Sequence, residues 1–246
     1  MIAAVTMVKD EADIIVPVIS QLFAQGVDRI WVADNMSSDK TRPLLEDLAV
    51  HHPLTIVDDD EPGYYQSQKM SALAETAYMA GADWVLPFDA DEWWYGIGGR
   101  TIAEQLTDAD ADIIKTWGYD HIPQRTDDHD ETDPIRRMGW RRGHTQTWPK
   151  VVFRAHPGAY LHMGNHDVEH PGRRAAGHLE YRHFGYRTLD QMARKVRQGK
   201  AAYDASTVHE LHGTHWRRMG AMSDDELVGE WEALLDEQGL VHDPAP

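Results

Sequence analysis

Four short apolar runs punctuate the first 90 residues, and the segments between them carry apolar side chains at helical spacing. No other feature restricts the possible folds so much. The runs are Ile2–Val8, Arg29–Ala33, Leu54–Val57 and Trp84–Phe88. Runs of this length, rich in β-branched residues, fit strands buried on both faces. After the first, Ile14, Ile15, Val18, Ile19 and Leu22 mark a helix whose first turn tolerates Pro17 and which Gly26 stops. Leu44, Leu45 and Leu48, following Pro43, mark a second helix. Residues 66–80 read as a third, with Ala72, Leu73, Ala77 and Tyr78 buried. The order β-α-β-α-β-α-β predicts an α/β fold with a mostly parallel sheet and right-handed crossovers, and ligands bound beyond the carboxyl ends of its strands.

Three polar clusters fall at those ends: Lys9-Asp10-Glu11, Asp34-Asn35 and Asp89-Ala90-Asp91-Glu92. The last is the sharpest chemical signal. Two carboxylates separated by one residue at the mouth of a buried strand suit a hard divalent cation, which in turn suits a diphosphate. The chain has no cysteine, so a metal here is held by Asp, Glu, His or carbonyl oxygen. A formal charge of -17 opposes nucleic acid and anionic membranes as partners. No apolar window reaches the roughly 18 residues of a membrane span, and the start lacks the basic region of a signal peptide. These features predict one continuous globular unit, cytoplasmic, without an integral membrane segment.

Beyond residue 100 the pattern loosens. Residues 113–117 and 151–154 read as strands, and 118–149, rich in Asp, Arg, His, Gly and Pro, as a long loop able to close over a ligand. Leu189, Met192, Ala193 and Val196 predict a helix ending at Gly199, and Ser223 with Glu226 has capping-box spacing for a final one.

Val5–Ala12, Val32–Thr41 and the Asp89 motif together resemble, in order and spacing, the family 2 nucleotide-sugar glycosyltransferases with their Rossmann-like, three-layer α/β/α GT-A fold. Residues 178–203 are similar to the closing motif of a bacterial branch of that family. The resemblance implies transfer of a sugar from a nucleotide diphosphate sugar, UDP-type favoured, to a glycan, lipid-linked or small-molecule acceptor, with inversion and with Mn²⁺ or Mg²⁺. It implies that residues 1–100 bind nucleotide and metal, and that 101–246 bind acceptor and supply the base. By the same resemblance Thr6, Glu11, Asp34, Lys69 and Asp89 bind the donor. Asp91 and Asp89 hold the metal, joined by His166 or His183. Asp167, Glu169 and Asp120 are the candidate bases, since a carboxylate must take the acceptor proton. Trp93 and Trp94, beside the acidic motif, are candidates to stack on a sugar ring.

One rival pattern is present. Gly164-Asn165-His166-Asp167 also spells a dimetal phosphoesterase motif, although the Asp-x-His and Gly-Asp-x-x-Asp segments that should precede it are missing.

Overall fold

The computed structural model describes residues 1–245. The chain opens with β1 (Ile2–Val8), α1 (Ile15–Ala24), β2 (Arg29–Asp34), α2 (Thr41–His51), β3 (Leu54–Asp58), α3 (Gln66–Met79) and β4 (Trp84–Pro87), the alternation that the apolar runs predict. It continues through β5 (Glu92–Gly96), α4 (Ile102–Thr107), β6 (Ile113–Asp120), the short α5 (Pro134–Arg137) and β7 (Trp140–Arg141). Then follow β8 (Lys150–Arg154), β9 (Tyr160–Leu161), β10 (Val168–Glu169) and β11 (Arg174–His183). Three helices, α6 (Leu189–Asp204), α7 (Thr214–Gly220) and α8 (Asp224–Leu235), precede a last short strand, β12 (Val241–His242).

The chain forms two compact units. The first comprises residues 1–60, 66–119 and 145–183, the second 61–65, 120–144 and 184–246. The first is built on an eight-stranded sheet in the order β3-β2-β1-β4-β8-β6-β11-β5. β1 runs parallel to β2 and β4, and β2 to β3, so Val8, Asp34, Asp58 and Pro87 finish at one edge. β8 enters antiparallel beside β4 and pairs antiparallel with β6; β11 pairs antiparallel with β5. The parallel half is the half with the clear sequence pattern.

Residues of one sheet face, among them Ala3, Val5, Trp31, Ala33, Val85, Val151 and Phe153, pack against Met70, Leu73, Ala74 and Ala77 of α3. The alternate residues Ala4, Ile30, Val32, Leu86 and Val152 are buried too, and successive strand residues face opposite ways, so both faces are covered. Burial on two faces removes the alternation of an ordinary amphipathic strand. The central strands therefore read as unbroken apolar runs. Trp94 belongs to this interior: it is fully buried, stacks on Tyr181 with ring centroids 4.9 Å apart and donates its indole N–H to Glu92 Oε2 at 3.1 Å. Its neighbour Trp93 is half-buried. The expectation that Trp94 stacks on a sugar is thus corrected.

In the second unit α6, α7 and α8 meet through Met192, Val196, Met219 and Leu227. α6 runs past Gly199 to Asp204, five residues beyond the expected stop. A β-carbon at Gly199 would come within 2.7 Å of the Trp216 ring, so the glycine serves close helix packing instead of termination. The stretch expected as a long loop also has structure of its own. Asp133 caps α5 by accepting from the Ile135 N–H at 3.0 Å, Pro134 occupies the first turn, β7 pairs with β12, and Arg142 binds Asp120 and Glu237. These elements are too short to leave a periodic signature. Ser223 and Glu226 form the expected capping box on α8.

Candidate functional site

The strand ends of the first unit are tied together before any ligand is considered. Asp10, with a left-handed φ of 53°, accepts from the Ser38 N–H at 2.5 Å and the Asp39 N–H at 3.0 Å, joining the loops after β1 and β2. Lys9 Nζ donates to the Asn35 carbonyl at 2.7 Å. Asp34 is buried at the end of β2, accepts from the Ser37 N–H at 3.1 Å and lies 3.7 Å from Arg42 Nη1. It therefore caps its own turn, while lying roughly 10 Å, two strand spacings, from the end of β4. Thr6 is fully buried within β1, and Glu11 is buried, with its N–H donating to Thr41 Oγ1 at 2.9 Å. Lys69 reaches Asp59 Oδ2 at 2.6 Å, and the Asn35 side-chain amide donates to the same oxygen at 3.0 Å. Lys69 is thus stationed beyond β3 by a partly buried carboxylate that the sequence did not single out.

Around Asp89 the partners come from far along the chain. Lys150 Nζ donates to Asp89 Oδ2 at 2.5 Å, and Asp89 Oδ1 accepts from the Asn165 amide at 3.1 Å and the Gln66 amide at 3.4 Å. Lys150 Nζ also sits 3.0 Å from Glu92 Oε1, an ion pair in which that oxygen accepts no hydrogen bond from any described residue. Burial alone would lower the pKa of Lys150; the charges of Asp89 and Glu92 outweigh it, raise the pKa and keep the side chain cationic. Burial pushes Glu92 up to about 7, against the pull of Lys150, with Asp89 adding to the rise. Gly164 and Asn165 both adopt left-handed backbone, with φ of 74° and 57°, and a β-carbon on Gly164 would strike the His166 ring at 2.3 Å. The Gly-Asn pair makes this turn possible, and the turn aims the Asn165 amide at Asp89.

Asp91 is buried, and its Oδ2 lies 3.5 Å from His183 Nε2. The other ring nitrogen of His183 is 3.0 Å from the Gln146 amide, which accepts from the Tyr181 hydroxyl at 2.6 Å. Two oxygen or nitrogen ligands of one divalent ion at about 2.1 Å stand close to 3 Å apart, so this pair fits Mn²⁺ or Mg²⁺. A cation on Nε2 leaves the ring proton on Nδ1. With the proton there, the Gln146 amide would have to turn its oxygen toward His183 and its nitrogen toward the Tyr181 hydroxyl, the reverse of its present orientation. Among the described residues no three His, Asp or Glu side chains converge to hold a metal unaided. Two protein ligands completed by diphosphate and water are the usual arrangement for a phosphate-bound Mg²⁺.

The other candidates are placed differently. His166 Nδ1 bonds the Pro149 carbonyl at 2.9 Å, which fixes its proton there and leaves Nε2 the lone pair; no described residue hydrogen-bonds Nε2. Burial, reinforced by the charge of Lys150, lowers its pKa and keeps it neutral. Asp167 pairs with Lys115 at 3.2 Å and Arg174 at 3.5 Å. The register Lys115↔Val151 and Thr116↔Lys150 makes Lys115 leave the sheet from the face opposite Lys150. Glu169 is exposed and faces His162 at 3.7 Å. Asp120, in the second unit, is bound by Arg142 at 2.9 Å. The structure thus brings together Asp89, Asp91 and His183 of the expected set. It adds Glu92 from the same acidic cluster, Asn165, whose local motif suggested a different role, and Lys150, Gln66 and Gln146, which no local motif announces.

Asp167 gives a stability prediction. Burial alone would raise its pKa; the Val168 N–H and Lys115 overcome this and hold it below the ordinary 3.8. A depressed carboxylate stabilises the fold above its unfolded pKa, and the contribution disappears as pH falls through the folded value. Asp167→Asn is expected to cost about 1 kcal/mol at pH 7 and almost nothing near pH 2, as read by urea denaturation at the two pH values.

With this geometry established, comparison with known proteins places the chain. The sequence model of Glycosyl transferase family 2 matches residues 4–164, well over half the chain. The chain belongs to glycosyl transferase family 2. No curated protein matches it. Among solved structures it is similar to Staphylococcus aureus TarS residues 1–349 in complex with UDP, at 11% identity and a TM-score of 0.48, covering 94% of this chain and 72% of that one. The same TarS fragment in complex with UDP-GlcNAc gives 10% identity and a TM-score of 0.48 over 95% and 81% of the two chains. HddC from Yersinia pseudotuberculosis gives 14% identity and a TM-score of 0.40 over 73% and 92%. Among the described residues no helix is long and apolar enough to cross a membrane.

Proposed function

We propose that this glycosyltransferase moves a sugar from a nucleotide diphosphate sugar to an acceptor hydroxyl, with a divalent ion on Asp91 and His183 meeting the donor's diphosphate. The observation that carries the reading is the Asp91–His183 pair, 3.5 Å apart and two residues from Asp89 at the mouth of a buried strand. When bound, such an ion neutralises the charge of the departing diphosphate. Asp34, Lys69 and Asp89 face the donor in this reading, and a UDP-type nucleotide is the first to test. All of these residues lie in the first unit.

Transfer by single displacement, with inversion, suits the site. A double displacement needs a carboxylate nucleophile, and the nearby ones are engaged: Asp89 accepts from Lys150, Asn165 and Gln66, Glu92 pairs with Lys150, and Asp91 meets His183. A single displacement instead needs a proton acceptor with an available lone pair. His166 Nε2 has one, fixed in direction by the Pro149 carbonyl, whereas Asp167, Glu169 and Asp120 each face a cationic or imidazole partner. We therefore assign the base role to His166.

The phosphoesterase reading would use Asn165 as a metal and phosphate ligand, yet its amide is directed to Asp89. A direct comparison tests the two. Purified chain incubated with UDP-sugars, acceptors and Mn²⁺ is expected to release UDP and to release no phosphate from an aryl phosphate. Phosphate release that Asn165→Ala abolishes and Asp91→Ala leaves intact would reverse the assignment.

A further inference from the structure

We propose that Lys150 is a positioning residue, a cation built into the protein that ties Asp89 to Glu92 and so reserves Asp89 for the donor while the exchangeable divalent ion goes to Asp91 and His183. The inference rests on the glycosyltransferase reading above and deepens it.

Three carboxylates, Asp89, Asp91 and Glu92, fall within four consecutive residues, and two of them are buried. Left alone they would repel one another or collect a cation in no fixed arrangement. The fold supplies one instead. β4 and β8 pair Trp84↔Arg154 and Val85↔Phe153, and this register carried forward sets Lys150 opposite Phe88, one residue before Asp89. The lysine side chain is only 4% exposed, and its Nζ is within 2.5 Å of Asp89 and 3.0 Å of Glu92. Asn165 and Gln66 hold the other Asp89 oxygen, so the carboxylate is fixed on both sides and still 36% exposed toward solvent. A carboxylate held this way can accept hydrogen bonds from a sugar or ribose hydroxyl without reorganising. Asp91 is left as the acidic partner of His183. The division of labour follows from where the fixed charge sits: Asp89 already has its cation.

The proposal makes a prediction of opposite signs. With Lys150→Met, Asp89 and Glu92 lose their resident cation and become ligands for a mobile one. Mn²⁺ binding without nucleotide, followed by the electron paramagnetic resonance signal of free Mn²⁺, is expected to tighten about tenfold or more. UDP affinity in the presence of EDTA and kcat with a UDP-sugar are each expected to fall about tenfold, with kcat falling more than KM changes. Because Lys150→Met leaves Glu92 buried without its cationic partner, Lys150→Met/Glu92→Gln provides a neutral background in which folding is kept. There kcat is expected to stay low while Mn²⁺ affinity returns toward wild type. Unchanged Mn²⁺ affinity in Lys150→Met, or unchanged kcat in both variants, would overturn the proposal and reduce Lys150 to a structural ion pair. If the wild-type protein itself bound neither UDP nor Mn²⁺ and transferred no sugar, the glycosyltransferase reading would fail first, and independently of any Lys150 variant.

Discussion

Asp91→Asn is expected to lower kcat/KM for a UDP-sugar by about a thousandfold, some 4 kcal/mol of transition-state stabilisation, with the fold intact. The amide keeps the size and one oxygen of the carboxylate but loses its charge. Asp91 is one of two protein ligands expected on the ion, so the loss is not shared among a full coordination shell. Folding should survive because the substitution removes a buried negative charge without removing volume. The effect should appear in kcat and kcat/KM together, since the ion matters most as charge gathers on the leaving diphosphate. Steady-state rates of UDP release at saturating Mn²⁺ check this. A loss below tenfold would place the metal elsewhere.

His166→Gln is expected to lower kcat by about a hundredfold or more while leaving UDP affinity within about threefold. Glutamine can still donate to the Pro149 carbonyl, but it cannot take up a proton at the position of Nε2. The wild-type pH profile carries the sign. The working form is neutral imidazole, and burial together with the Lys150 charge sets its pKa below the ordinary 6.5. Activity should stay level from pH 8 to about 6.5 and fall only at more acid pH. His166→Gln should lack that acid limb. Asp167→Asn, in contrast, should show its stability loss with kcat within about threefold of wild type. If Asp167→Asn instead abolished transfer and His166→Gln did not, the base would be the carboxylate.

The parts of this molecule that could be read from sequence are those where chemistry follows local order. The strands of the parallel half are buried on both faces and so appear as apolar runs, and Ser223 with Glu226 three residues on announces a helix start at Asp224. Asp89 and Asp91 stand at a strand end for the same reason. Lys150 was not legible, because its meaning depends on β8 entering antiparallel beside β4, a pairing between segments more than sixty residues apart. Read alone, it is a lysine at the start of a strand. Asn165 carried a signal that pointed elsewhere: Gly-Asn-His-Asp resembles a metal motif, whereas the structure uses Gly-Asn for two successive left-handed residues. Gly199 looked like a helix stop because the ring packed over it comes from a different helix. Of fifteen histidines, His183 could be ranked from its place in the closing motif, yet only the pairing of β11 with β5, which sets His183 opposite Glu92, shows why it reaches Asp91.

A divalent ion shared between this protein and its donor is the central element of the proposed reaction. Isothermal titration of UDP into the wild-type chain, once with Mn²⁺ and once with EDTA, and again into Asp91→Asn, measures that sharing. The expected result is binding at least about tenfold tighter with Mn²⁺ in the wild type, with that gain absent in the variant. Equal affinity with and without Mn²⁺, or the same gain in both proteins, would contradict it.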